Sequence, residues 1–289
     1  MTREHRSRRM MAAAALLLGA CGVGAAEGAA PEDAFAKAAA EMRTELGPGF
    51  IIERTGVFIV AGDMPRPSFD RFKGFTVEDC ARALSKDFFT NKPGYPIKVY
   101  LFSGKASYEK WVPRLAGFKP HTPYGFYLPS KKALMMNIAT GGGTLVHEMT
   151  HALTDPDFPN CPTWLFEGLG SLFEQCHVTR DGHIKGRVNW RLPVLRQGGF
   201  IPIEKLIKLS DAEFRGTKES VNYANARYLC FYLQERGLLA KFYKTFRDAN
   251  KAGKDETGWA SFKEVINEPP AEFEKKWHAW VKTLKWPER

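Results

Sequence analysis

The sequence predicts an α+β fold, with a small mixed sheet lobe first, a helical lobe second and a cleft between them. Three observations lead there. Apolar, β-branched runs such as Val57-Phe58-Ile59-Val60-Ala61 and Ile97-Lys98-Val99-Tyr100-Leu101-Phe102 fall in the first half of the chain. From about residue 143 onward the apolar residues recur with helical spacing instead. With 289 residues, 44% of them hydrophobic, the chain can bury a core as one large domain or two small ones.

Residues 1–20 read as an export signal. A basic stretch, Arg3 to Arg9, leads into an apolar run, Met10 to Leu18, that is too short to span a membrane as a mature helix. Leu18-Gly19-Ala20-Cys21 resembles a bacterial lipoprotein box, which implies a lipidated Cys21 and attachment to a membrane. Ordinary cleavage near Ala25 or Ala26 is the competing reading, and both place the protein in the periplasm or cell envelope. Ser7-Arg8-Arg9 is also similar to a twin-arginine signal, although the residues after it fit poorly.

Residues 21–33 are small and Gly/Ala-rich and read as a flexible tether. The sheet lobe spans residues 34–142. It starts with a helix over Ala34–Glu45, closed by Gly47-Pro48-Gly49, then a strand at Val57–Ala61. A helix over Phe69–Phe89 with a break near Gly74, the strand Ile97–Phe102 and a short helix at Ala106–Leu115 follow. Tyr124–Leu128 and Ala133–Asn137 form a hairpin across Pro129-Ser130-Lys131-Lys132. Residues 143–289 form the helical lobe, irregular over Cys176–Gly199, with helices at Ser220–Arg236, Leu238–Asn250, Trp259–Ile266 and Pro270–Leu284. Trp277, Trp280 and Trp286 pack the last helix; a membrane-facing aromatic patch is the alternative. His177 and His183 read as loop histidines, with a second metal site as the other possibility.

One stretch organises the chain: His147-Glu148-Met149-Thr150-His151. On a helix, residues i and i+4 lie on one face, so two imidazoles there can share a metal ion. Glu148 leans toward the same point and can take a proton from water. Leu145, Val146, Met149, Ala152 and Leu153 fall on the opposite side and face a core. Thr140 or Thr144 can cap this helix after Gly141-Gly142-Gly143, and Asp155-Pro156-Asp157 breaks it. Pro162 suits the first turn of a second, returning helix that brings Glu167 to the metal. Gly168 and Gly170 each cost that helix about 1 kcal/mol relative to Ala, which a close approach of backbone at the site would explain.

The HEMTH stretch, separated by fifteen intervening residues from Glu167 within Trp164-Leu165-Phe166-Glu167-Gly168, resembles the gluzincin zinc metallopeptidases. The likeness is greatest to the peptidase MA-like group, over roughly residues 120–235. The resemblance implies a gluzincin-like catalytic unit with one zinc ion held by His147, His151 and Glu167, and Glu148 as general base. It also implies an oxyanion donor in the following helix, here Tyr223 in Ser220-Val221-Asn222-Tyr223-Ala224-Asn225-Ala226. Tyr228 and His121 are the alternatives, and plain core packing is another reading of Tyr223. The strand Ala133–Asn137 would edge the cleft and pair with substrate backbone. Ser171 stands where thermolysin-like enzymes carry an aspartate that orients a ligand histidine, with Glu174 the nearest acidic substitute. Arg227 could hold a substrate carboxylate or form a surface salt bridge.

Net charge is +10, of which the four arginines and one glutamate of the first nine residues supply +3. The remaining +7 is a mildly basic surface with scattered lysines, and no nucleic-acid module is present. Cys161 and Cys176 bracket the second site helix, too far apart to bridge; any disulfide must use Cys80 or Cys230, and four free thiols are the other reading. The expected function is zinc-dependent hydrolysis of a peptide or protein substrate in the envelope, endopeptidase preferred because no exopeptidase motif precedes the helix. The alternative is a zinc-containing envelope lipoprotein that acts as a scaffold without turnover.

Overall fold

The computed structural model describes residues 32–286, so the export signal, Cys21 and all but the end of the tether lie outside the described residues. The architecture is α+β, a mixed sheet lobe followed by a helical region. Helix α1 (Glu32–Leu46) precedes strands β1 (Ile51–Thr55) and β2 (Phe58–Gly62). A continuous helical run follows: α2 (Arg66–Arg71), a π-helical stretch (Phe72–Asp79) and α3 (Cys80–Asp87). The break expected near Gly74 is therefore a widened turn inside one helix. Then come β3 (Ile97–Phe102), α4 (Lys105–Ala116), β4 (Gly125–Leu128) and β5 (Ala133–Asn137).

The five strands lie in the order β1-β2-β3-β5-β4. β2, β3 and β5 are mutually parallel, while β1 and β4 run antiparallel at the two edges. Side chains alternate between the faces, as a period of two demands. Ile59, Ala61, Tyr100, Phe102, Ala133 and Met135 pack under α1 and α4. Phe58, Val60, Ile97, Val99, Leu101, Leu134 and Met136 join the larger core shared with the helical region. The strand expected to edge the cleft, Ala133–Asn137, is in fact interior and buried at all five positions. The chain leaves β3, crosses through α4, lays down β4 on the outside and returns to fill the gap with β5. The edge strand is β4, the other arm of the same hairpin.

The helical region consists of α5 (Gly143–Asp157), α6 (Thr163–Phe173), the two-stranded pair β6 (Cys176–Val178) and β7 (Ile184–Gly186), and α7 (Arg191–Gly198). Then come α8 (Ile203–Ile207), α9 (Asp211–Phe214), α10 (Glu219–Glu235), α11 (Leu239–Lys251), α12 (Trp259–Ile266) and α13 (Pro270–Thr283). The stretch read as irregular, Cys176–Gly199, thus holds β6, β7 and all of α7. Trp277 is buried, donating its ring N–H to the Tyr228 carbonyl at 3.1 Å, and Trp280 packs on Phe231 and Tyr232. Among the described residues no helix is long and apolar enough to cross a membrane.

Two local expectations fail for physical reasons. Neither Thr140 nor Thr144 caps α5; Gly142 occupies the cap position and the Thr140 hydroxyl turns back to the Asn137 carbonyl. Pro156 does not break the helix before Asp157, because it falls in the last turn, where only one intrahelical hydrogen bond is lost. Continuing through Pro156 delivers Asp157 to a buried junction. Its carboxylate accepts from the Thr90 and Asn91 amides at 2.9 and 2.7 Å, the Tyr243 hydroxyl at 2.9 Å and Arg247 at 2.9 Å. This junction ties the end of α5 to the α3–β3 loop and to α11.

Replacing Asp157 with Ala leaves the Thr90 and Asn91 amides and the Tyr243 hydroxyl without that acceptor, and leaves Arg247 only Asp248 and the Thr90 hydroxyl. The expected loss is about 3–5 kcal/mol, the cost of breaking a buried charge pair. Urea unfolding should show a lower midpoint with an unchanged slope; an unaltered midpoint would refute the junction's role.

Candidate metal centre

Helix α5 presents its ligands because its other face is fully committed. Leu145, Val146, Met149, Ala152 and Leu153 are all buried in the large core, which turns His147, Glu148 and His151 toward the cleft. The Thr150 and Thr154 hydroxyls bond back to the Val146 and Thr150 carbonyls, so neither polar group needs the site. Helix α6 begins after Pro162, whose carbonyl accepts from the Leu165 and Phe166 amides at 3.0 Å. It runs back along α5. A side chain on Gly143, at the start of α5, would come within 2.6 Å of the Glu174 carbonyl at the end of α6.

Gly170 sets the spacing of the two helices at the site. A Cβ there would lie 2.9 Å from His147 Nε2 and 2.9 Å from His151 Cε1. Gly168, two residues earlier and so on the opposite side of the helix, fits against Cys230 Sγ and the Ala226 carbonyl of α10. Both glycines thus mark close approaches, one toward the imidazoles and one toward the supporting helix.

His147, His151 and Glu167 form the one group of metal-ligand spacing among the described residues. Glu167 Oε2 is 3.3 Å from His147 Nε2 and 3.4 Å from His151 Nε2. Donors on a tetrahedral ion at zinc–nitrogen distances stand about 3.3–3.4 Å apart, which the two Glu167–imidazole distances match. The cluster is buried, and it could hold a metal ion. His151 stacks on Phe166 at 3.9 Å, which fixes its ring plane. Burial pushes the His147 imidazole down, but the Glu167 hydrogen bond and the charges of Glu148, Glu167 and Glu174 raise it more. Burial raises Glu167 in turn, and the two imidazoles outweigh it, holding the carboxyl well below its usual range.

Glu148 lies beside the cluster, and its Oε2 accepts from the Tyr127 amide of β4 at 3.1 Å. Tyr223 of α10 also reaches the site, and its hydroxyl accepts from Arg215 Nη1 at 3.2 Å. Burial and the Glu167 charge raise the Tyr223 pKa, so the phenol keeps its proton. Arg215, which the sequence did not flag, also donates to Glu167 Oε1 at 2.8 Å and to Asp211 at 3.0 Å. It occupies one oxygen of Glu167 and leaves Oε2 facing the histidines. No sequence signal marks this role; Asp211 and Arg215 read as an ordinary i,i+4 pair.

Other candidates lie elsewhere. Tyr228 is fully buried, exchanging hydrogen bonds with the Asn189 backbone, and does not line the cleft. His121 sits exposed on the cleft wall against Phe118 and Phe126. Arg227 is neither a surface residue nor a carboxylate binder. It is fully buried, pulled down to about 10 by burial, and donates to the Ser171 and Arg187 carbonyls. Ser171 and Glu174 do not orient a ligand histidine: the Ser171 hydroxyl, Glu174 Oε2 and His151 Nδ1 are all buried without partners. His183 pairs with Asp87 and His177 accepts from Arg187, so neither joins a second metal cluster. The four cysteines among the described residues are free; Cys80 donates to the Phe75 carbonyl at 3.6 Å, and Cys161 is partly buried.

The cluster opens into a cleft of about 1940 Å³ walled by both lobes. Phe75, Tyr124 and Trp190 line it while remaining 47–70% exposed, and Phe118 stacks on its wall residue His121. These four are the exposed large hydrophobic residues of the described chain, and all gather here. No protein-family model matches the chain, and no curated protein matches it.

Gly170→Ala should weaken metal binding by about 10–100-fold, the range seen when a metal's supporting contacts are lost. Gly168→Ala, which meets only Cys230 and α10, should lower stability with much less effect on affinity. Metal titration of both variants tests this, and equal affinities would refute the spacing role of Gly170.

Proposed function

We propose that the protein is a zinc-dependent peptidase of the gluzincin kind, acting on peptide or protein substrates in the cell envelope. The observation that carries this reading is the join between the motif and the geometry. In the His147–His151–Glu167 cluster the carboxylate stands 3.3 and 3.4 Å from the two imidazoles, as ligands of one ion would, and Glu148 stands next to it on an open cleft. Two imidazoles and one carboxylate, with a position left for water, are the donor set of catalytic zinc sites rather than structural ones. When bound, the ion supplies Lewis acidity, making water a nucleophile near neutral pH and polarising a carbonyl.

The chain's own groups do the rest. Glu148 accepts the proton of the attacking water and returns it to the leaving nitrogen. Its bond to the Tyr127 amide leaves the other carboxylate oxygen for that proton. Tyr223, with Arg215 donating to its oxygen, can donate its own hydrogen to the oxyanion. Arg215 holds Glu167 to one ligating oxygen.

The edge strand supports a polypeptide substrate. Tyr124 accepts from the Asn137 amide, so the Gly125 backbone groups and the Tyr127 carbonyl turn outward along the cleft, while the Tyr127 amide is held by Glu148. An extended chain can pair there, with its apolar side chains against the exposed aromatics. Export, lipidation at Cys21 and endopeptidase action belong to this proposal as expectations. A zinc-containing scaffold lipoprotein is the rival.

Glu148→Gln separates the two. It should retain stoichiometric zinc and lose about 10²–10⁴ in turnover on an unfolded protein substrate. Purified protein without stoichiometric zinc by elemental analysis, or chelator-insensitive hydrolysis, would overturn the reading. Tyr223→Phe should cost about 10²–10³ in turnover while zinc content and substrate binding hold. Normal turnover in that variant would return Tyr223 to a packing role.

A further inference from the structure

Arg191 begins α7 on the wall of the cleft, and nothing in the proposed chemistry uses it. Its guanidinium lies between two rings, 4.3 Å from the Trp190 centroid and 4.9 Å from that of Tyr223. Contact with both rings restricts the group. Among the described residues no carboxylate lies within ion-pairing distance of it, and Nε is buried without an acceptor. The neighbouring cations are engaged differently. Arg215 faces Glu167 and Asp211, Arg82 faces Asp79, and Lys86 donates to the Asp181 carbonyl. Arg180 stands exposed between β6 and β7.

Sheltering a guanidinium without a counter-ion is costly, and proteins ordinarily pair such a group. Burial pulls the Arg191 pKa down, and the more distant Glu174, Tyr223, Glu167 and Glu219 only partly offset it. A planar, always-charged fork held rigid and open on one side is suited to two parallel hydrogen bonds with a carboxylate. The rings that clamp it remove much of the ordering cost of binding.

We propose that Arg191 is a subsite for a substrate carboxylate, which makes the preferred substrate an acidic or acid-terminated peptide. This rests on the reading of the cleft as a peptide-cleaving site. Tyr223 connects the two places, with one face toward Arg191 and its hydroxyl bonded to Arg215, which grips Glu167. An extended peptide advances about 3.3–3.6 Å per residue, so the carboxylate belongs a few residues from the bond that is cut. Two sources supply the same group: the C-terminal carboxylate of a short peptide, or an Asp or Glu side chain within a longer one.

The test uses the full chain, zinc-loaded and carrying Glu148→Gln so that peptides bind without being cut. Two matched probe sets are titrated, with Trp190 fluorescence and calorimetry as readouts. One set compares a peptide acid with its C-terminal amide. The other compares amidated peptides bearing Asp or Glu with their Asn or Gln counterparts at each position. The carboxylate form should bind on the order of 10²-fold tighter in one of the two sets, and that set names the source. Arg191→Gln should abolish the preference. Arg191→Lys, which keeps charge but loses the planar fork, should recover only part of it. Thermal melts and zinc content show whether each variant is folded and loaded. Equal affinities in both sets, a preference that survives Arg191→Gln, or no binding of any carboxylate peptide would each overturn the subsite. Hydrolysis by the unmutated chain without carboxylate preference would leave the peptidase reading standing and this inference lost. Carboxylate binding through Arg191 without hydrolysis would do the reverse.

Discussion

Helix α6 lies against α5 with no side chain between them at Gly170, and the geometry of the metal cluster depends on that contact. Both imidazoles rest on the glycine, so the helices stand close enough for Glu167 to meet His147 and His151 at tetrahedral spacing. Two glycines make α6 a poor helix by itself, at roughly 1 kcal/mol each. Burial compensates. Trp164, Leu165, Leu169, Leu172 and Phe173 are almost wholly buried, and Gly168 lets α10 press in from behind. The same approach brings Tyr223 to the site, since it rides on α10. The site is therefore a property of three packed helices, not of one motif.

Charges are distributed around this packing with distinct partners. Asp157 gathers donors from two segments at the far end of α5, away from the cluster. Arg227 crosses from α10 to the Ser171 carbonyl near the end of α6, using backbone acceptors where a carboxylate would be usual. Even when pulled down to about 10 it stays charged at neutral pH. Arg215 on the open side grips Glu167 directly. α6 is thus held between two guanidiniums, one behind the ligand helix and one in front of it.

Much of this was legible in the sequence because it is local. The strands at Ile97–Phe102 and Ala133–Asn137 and the helix at Trp259–Ile266 fall at the expected residues, each a run whose period declares its type. The i,i+4 histidines, the following glutamate and the costly glycines likewise lie within one short stretch. What stayed hidden depends on contacts distant in sequence. The order of β4 and β5 follows from a crossover, so no pattern within β5 could reveal that it is interior. Pro156 looked like a helix end because its neighbours gave no sign of the junction that draws Asp157 inward. Arg215 and Arg191 are ordinary surface-type residues in sequence; only the fold places one beside Glu167 and the other between two rings.

The edges of the sheet invite a different question, that of solubility. An open strand edge is a template on which a second copy can add its own strand. At one edge β1 carries Glu53, paired with Lys73 and Arg66, and Arg54, paired with Glu32. A neighbouring chain would have to displace those charges. At the other edge β4 has four residues, its outward amide at Tyr127 is taken by Glu148, and Gly125 bends at φ 149°. The residue assigned to proton transfer therefore also stoppers the more exposed edge. A glutamine at 148 can still accept from Tyr127, whereas an alanine would bare that amide beside a ring of exposed aromatics. An inactive form made with alanine would expose a self-association surface that the glutamine form keeps covered.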